Sequence, residues 1–167
     1  IEKGYAIVAG LNLGIYLCGR KSESFSYRFK EEYICLSMEE LVAYSRKDFF
    51  EYVIASAKLV TEKYSVGGLE ICCEKMTLPM KKGLASSAAI CVAVIRLFNL
   101  VYKLNLSVEE EMSLAYTAEQ SVGSLCGKMD QVCAYGQGLR LVVFDGSSTS
   151  VIPLITNSEF IFLLVDL

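Results

Sequence analysis

A run of small residues, Gly83-Leu84-Ala85-Ser86-Ser87-Ala88-Ala89, limits what this chain can fold into more than any other feature. Before it lies an alternating stretch, Leu69 to Leu78, stopped by Pro79; across and beyond it an apolar run extends from Leu84 to Ile95. The spacing predicts a strand, a tight turn and then a long helix. Small side chains at 83, 85, 86, 88 and 89 let a ligand approach the backbone closely. The first N–H groups of a helix lack intrahelical partners and sit at the positive end of its dipole, so such a turn can hold an anion. Ser86 and Ser87 add hydroxyls that can meet a phosphate oxygen or ligate Mg²⁺. A Ser N-cap followed by small residues for close helix packing explains the same letters, and the pattern alone does not choose between the two.

The rest of the chain supplies layers for that turn to sit on. Residues 4–19 alternate as one or two strands, and Ser24–Phe29 as another. Ser37 and Glu40 form a capping-box pattern, followed by helical spacing through Leu41, Tyr44, Phe49, Phe50, Val53, Ile54 and Ala57 up to Gly67-Gly68. A helix is expected over Ser86–Leu104. A second capping box, Ser107 with Glu110, opens another that carries Leu114, Ala115, Ala118 and Glu119 to about Val122. A short helix from Met129 to Tyr135 ends at Gly136. Strands follow at Leu139–Phe144, Val151–Leu154 and Phe160–Val165, with a turn at Asp145-Gly146-Ser147-Ser148. This order predicts one α+β domain over residues 1–167, a mixed sheet with helices packed on one face.

Composition removes several classes of chemistry. With 53% hydrophobic and 21% charged residues, the 167-residue chain has ample material for one core and no tendency to disorder. Its net charge is −3 and no stretch collects Lys and Arg beyond doublets such as Lys81-Lys82, so a nucleic-acid partner is not expected. There is no histidine, which excludes Ser-His-Asp and Cys-His catalysis and the commonest zinc ligand. A bound metal should therefore be a hard ion held by oxygen, Mg²⁺ or Ca²⁺. Seven cysteines without a CxxC pair read as free thiols, placing the chain in a reducing compartment, the cytoplasm. No signal peptide is visible, the apolar run is too short to span a bilayer, and no membrane partner is expected.

Two familiar phosphate motifs fail on inspection. Gly123-Ser124-Leu125-Cys126-Gly127-Lys128-Met129 is one residue too short for a Walker A loop and lacks the Ser or Thr after Lys, and no GxGxxG occurs. Pro79 through Ala89 instead resembles the Pro-x-x-x-Gly-Leu-Gly-Ser-Ser-Ala motif of the GHMP kinases, among them galactokinase, homoserine kinase and the mevalonate and phosphomevalonate kinases. Ala85 departs from it, since most members have Gly there. Ala at that place is familiar from the diphosphomevalonate decarboxylases, which share the fold.

Two carboxylates stand out downstream. Glu119, among small and apolar residues, reads either as a helix-edge side chain in water or as a buried charge that needs a cation. Asp130 reads either as a charge complementing a helix dipole or as an acceptor for a hydroxyl proton. Ala118-Glu119, Gly123 and Cys126-Gly127-Lys128-Met129-Asp130-Gln131 resemble the galactokinase stretch Ala-Glu … Cys-Gly-Ile-Met-Asp-Gln. The Glu-to-Asp interval is one residue shorter than in typical galactokinases and matches the mevalonate kinases. Lys128 stands where galactokinases usually have an apolar residue and is expected to be solvated. The fainter likeness of Asp48-Phe49-Phe50-Glu51-Tyr52-Val53 to Trp-x-Asn-Tyr-Val lacks both the Trp and the Asn, and is expected to be core helix.

By resemblance, Lys82, Gly83, Leu84, Ala85, Ser86, Ser87 and Ala88 would bind ATP. Ser87 and Glu119 would hold Mg²⁺, and Asp130 would be the catalytic base or charge stabiliser. The expected activity is phosphoryl transfer to a hydroxyl of a sugar or polyol. Alternatives are a mevalonate-type kinase, the decarboxylase, or a non-catalytic sugar-sensing homologue; an RNA-binding module of the same fold does not suit the charge. The family's N-terminal substrate motif and its C-terminal domain would lie before Ile1 and beyond Leu167. A longer protein is therefore expected, with this chain alone binding nucleotide poorly and turning over little.

Overall fold

A computed structural model of the chain describes residues 3–80, 82–146, 148–157 and Ile161. Seven strands and four α-helices follow in the order β1 (Gly4–Gly10), β2 (Ile15–Ser22), β3 (Phe25–Phe29), β4 (Glu32–Leu36), α1 (Met38–Ala43), α2 (Glu51–Tyr64), β5 (Gly68–Met76), α3 (Ser86–Tyr102), α4 (Val108–Ser121), β6 (Gly138–Asp145) and β7 (Ser148–Leu154). A 3₁₀ turn, Asp130–Tyr135, lies between α4 and β6. The expected strand over Phe160–Val165, Lys81 of the basic doublet and Ser147 of the turn lie outside the described residues.

The α+β class holds, but the strands divide into two sheets. One is antiparallel, in the order β1-β6-β7; the other is mixed, in the order β2-β5-β3-β4, with β3 and β5 parallel. The division follows burial. In β3, Phe25, Tyr27 and Phe29 turn inward, while in β5 Leu69, Ile71 and Cys73 do the same. Helices α2 and α3 cover that face with residues at helical spacing: Val53, Ile54, Ala57 and Val60 from the first, Ala88, Cys91, Val92, Ile95 and Phe98 from the second. Helix α3 lies between α2 and α4 and also packs on β2.

Both capping boxes form. Ser37 Oγ accepts from Glu40 N at 3.1 Å while Glu40 Oε2 accepts from Ser37 N at 2.8 Å, and Ser107 and Glu110 repeat the pair at 3.2 and 2.8 Å. The helical stretch expected from Leu41 to Ala57 is broken in two, because Tyr44 turns extended at ψ 128° and closes α1. Asp48 occupies the gap, accepting from Phe50 N at 2.9 Å and from the Tyr44 hydroxyl. The Asp48–Phe50 segment is therefore a connecting turn rather than core helix, with Phe49 exposed and stacked on Phe29.

Gly10, at the end of β1, sits where two chain segments meet. A Cβ there would lie 1.9 Å from the carbonyl oxygen of Gly136, which ends the 3₁₀ turn. Gly10→Ala is expected to cost about 1–3 kcal/mol by overpacking. Gly14→Ala, whose Cβ would meet nothing closer than a Tyr16 ring carbon at 3.9 Å, should stay within about 0.5 kcal/mol of the parent. Urea unfolding of the two variants side by side measures the difference.

Candidate functional site

The turn before α3 is built from backbone strain. Gly83 has φ +72° and Ala85, the N-cap, has φ +53°, both left-handed. A Cβ on Gly83 would meet nothing within 4 Å, so glycine serves the conformation and leaves open space above the loop. No side chain caps α3, and its first turn carries no acidic residue. The helix begins with Ala89 N donating to Ala85 O at 3.0 Å. Ala88 is fully buried, Lys82 is exposed, and Ser86 and Ser87 are half-buried.

A groove of about 560 Å³, within the usual range for small-molecule sites, runs past this loop. Its lining includes Gly83, Leu84 and Ala85, Asp130, and the 8–17 segment. Of the residues expected to act, these four share the groove; Lys82, Ser86, Ser87, Ala88 and Glu119 do not line it. Glu119 lies on the inward face of α4 at 1% exposure, so the buried of its two readings is correct. Gln131, fully buried, donates from Nε2 to Glu119 Oε2 at 2.7 Å. The dipeptide Asp130-Gln131 thus joins the groove to the buried carboxylate.

Glu119 has no cationic side chain paired with it among the described residues, and the Oε1 of Gln131 is buried without a partner. A hydrated hard cation fits both: it supplies charge to the carboxylate and water protons to the amide oxygen. No group of three Cys, Asp or Glu side chains gathers into a metal cluster among the described residues. Mg²⁺ needs only one or two carboxylates, its other positions being filled by water and phosphate. Ser87 offers a hydroxyl on the first turn of α3.

Two arginines, neither singled out in the sequence, line the same groove. Arg96 on α3 donates to Ala134 O at 2.8 Å and binds Glu111; Arg140 on β6 donates to Tyr135 O at 3.0 Å and Gln137 O at 3.2 Å. Both guanidinium groups hold the carbonyl end of the 3₁₀ turn. The available signal was a single charge in the apolar run of α3, which must find a partner when buried. Lys128 is half-buried rather than solvated, its ammonium 5.5 Å from the centre of the Tyr116 ring. Burial, with the charge of Asp130 next in effect, pushes the Cys133 thiol up to about 12, against a smaller downward pull from Arg96. Burial pushes Cys91 up to about 12 as well.

Comparison with known proteins agrees with this architecture. The model of the GHMP kinases N terminal domain matches residues 51–138, and the chain belongs to that family. A galactokinase of Chloroflexus aggregans is 30% identical over 159 residues, covering 90% of this chain and 40% of that protein. The chain therefore spans about two fifths of the length of this relative. The Lactococcus lactis galactokinase, solved in complex with galactose, superposes with TM-score 0.76 at 19% identity over 90% of this chain and 42% of that one. A D-glycero-D-manno-heptose 1-phosphate kinase from Bacteriodes thetaiotaomicron gives 0.78 at 19% over 94% and 53%. At that identity the structures speak for the fold. No helix among the described residues is long and apolar enough to cross a membrane.

Two outcomes test this description. Ala85→Gly relieves a left-handed alanine and is expected to stabilise the protein by about 0.5–1 kcal/mol, after the entropic cost of glycine; denaturant titration reads it. Under iodoacetamide at about pH 8, exposed Cys35 should be alkylated well before Cys91 and Cys133, whose thiolate fractions are negligible; peptide mass mapping gives the order.

Proposed function

We propose that the chain is the nucleotide-binding part of an ATP- and Mg²⁺-dependent kinase that moves a γ-phosphoryl group onto a hydroxyl of a sugar or sugar-like alcohol. The observation that carries this reading is the groove shared by the strained loop before α3 and the carboxylate of Asp130. In this reading Lys82, Gly83, Leu84, Ala85, Ser86, Ser87 and Ala88 hold the phosphates, the backbone donors of the helix start facing their charge. Ser87 and Glu119 hold Mg²⁺. The ion, when bound, neutralises charge on the phosphoryl oxygens. Asp130 accepts the proton of the attacking hydroxyl or stabilises the charge that develops there. The sugar class is supported by the galactokinases among the relatives, C. aggregans at 30% identity. Seven free cysteines fit a reducing, cytoplasmic setting. Remaining contacts to the acceptor are assigned to a further domain of a longer protein.

ADP release by the full-length protein over a panel of monosaccharides, mevalonate and homoserine tests the proposal. A sugar-dependent signal is expected, and Asp130→Ala should lower kcat by about 10²–10⁴-fold. Full turnover in that variant would remove Asp130 from its role. Phosphate release with loss of CO₂ from a diphosphorylated acid would replace the kinase reading with a decarboxylase.

A further inference from the structure

We propose that Arg96 is a positioning residue for Asp130, an assignment that rests on the kinase reading above. Asp130 opens a 3₁₀ turn of six residues whose first end has no side-chain cap. So short a 3₁₀ segment holds its shape weakly by itself. Its other end is fixed from outside: Arg96 Nη2 donates to Ala134 O at 2.8 Å. The guanidinium is in turn immobilised by Glu111, with Nε 2.8 Å and Nη2 2.6 Å from Oε2. Glu111 is itself held, its Oε1 accepting from Asn99 Nδ2 at 2.8 Å, while Asn99 also bonds Leu106 in both directions at 3.0 and 3.1 Å. The Glu111 side chain is 4% exposed, while that of Arg96, which lines the groove, is 38% exposed.

The arrangement ties both halves of the groove to one rigid element. Helix α3 begins at the loop assigned to phosphate, and Arg96 follows Ser86 by about ten residues, close to three turns along the same rod. The position of Asp130 relative to the loop is therefore set from α3 through the Arg96 fork, while Arg140 holds Tyr135 O from β6. A lysine could meet either the Glu111 carboxylate or the Ala134 carbonyl, but its single ammonium lacks the geometry to fix both. Arg96 and Asp130 both line the groove, so the fork belongs to the same site as the carboxylate it positions.

The test uses the full-length protein. Arg96→Lys is expected to lower kcat for the preferred sugar about tenfold or more, with KM for ATP changed less than about twofold. Since Arg96→Met alone strands a buried Glu111 and can fail to fold, the second variant is the double Arg96→Met with Glu111→Leu, which removes both charges together. It should unfold cooperatively like the parent yet lose about 10²-fold in kcat. An independent readout is alkylation of Cys133, which lies in the same turn and should become faster in both variants. Loss of Arg96 charge by itself would slow that reaction, because Arg96 pulls the thiol downward, so acceleration reports a released turn. Parent-like kcat and parent-like Cys133 labelling in the folded double variant would overturn the proposal. If Asp130→Ala keeps full activity in the same assay, the kinase reading of Asp130 fails instead, and with it the role of Arg96 in positioning a base; the labelling then shows only whether Arg96 holds the turn.

Discussion

Helix α4 buries two carboxylates on one stripe, Glu111 and Glu119, two turns apart, and much of the groove's construction depends on how each is met. Glu111 is neutralised within the domain by Arg96, with Asn99 taking its second oxygen. Glu119 meets the neutral amide of Gln131 and the thiol of Cys126, and no cationic side chain among the described residues. Burying an ionised carboxylate against a neutral donor costs several kcal/mol, and a single charge-assisted hydrogen bond returns about 1.5–3 kcal/mol of it. The first pair is therefore a closed structural unit, while the second is an open valence. That difference between two residues of the same type on the same helix face is the strongest physical ground for placing a cation at Glu119.

The loop before α3 works by the same logic, with backbone in place of side chains. Left-handed φ values at Gly83 and Ala85 bring the chain into the helix without a capping side chain. A capping oxygen would satisfy the very N–H groups that an anion needs. Alanine at position 85 holds a conformation that disfavours a Cβ, and strain of this kind collects where structure serves a ligand. The strain at Ala85 sits next to the open space above Gly83.

Local features of this architecture were legible and distant ones were not. Both capping boxes, α3 and the 3₁₀ turn follow from patterns within one or two turns of chain, whereas the pattern around Glu119 left its burial open. Strand β4 escaped because the hairpin turn at Lys30-Glu31 has no Gly, Asn or Asp; Lys30 itself takes φ +55°. The split into two sheets escaped because β1 pairs with β6, so that Gly4 lies opposite Phe144, and nothing in the alternation of either strand names its partner. At the site, Asp130 and Glu119 came from residue type and motif. Arg96, Glu111 and Arg140 act through backbone carbonyls and through each other, and such partners become visible only when the helices are packed.

The engaged state of the arginines also says where anion affinity must come from. The described lining of the groove holds two guanidinium groups and one carboxylate, in a chain whose net charge is −3. Arg96 is committed to Glu111 and Ala134, and Arg140 donates to Leu139, Tyr135 and Gln137 carbonyls. Turning either toward a phosphate would release the turn that carries Asp130. In the proposed reading, attraction for the anion falls to the start of α3, whose backbone is fixed before the ligand arrives, and to the exposed Lys82. Donors that need no rearrangement stabilise developing charge most effectively. In that reading, groove arginines that hold Asp130 in place, with phosphate left to the start of α3 and Lys82, separate positioning from charge stabilisation, so that each can be altered without the other.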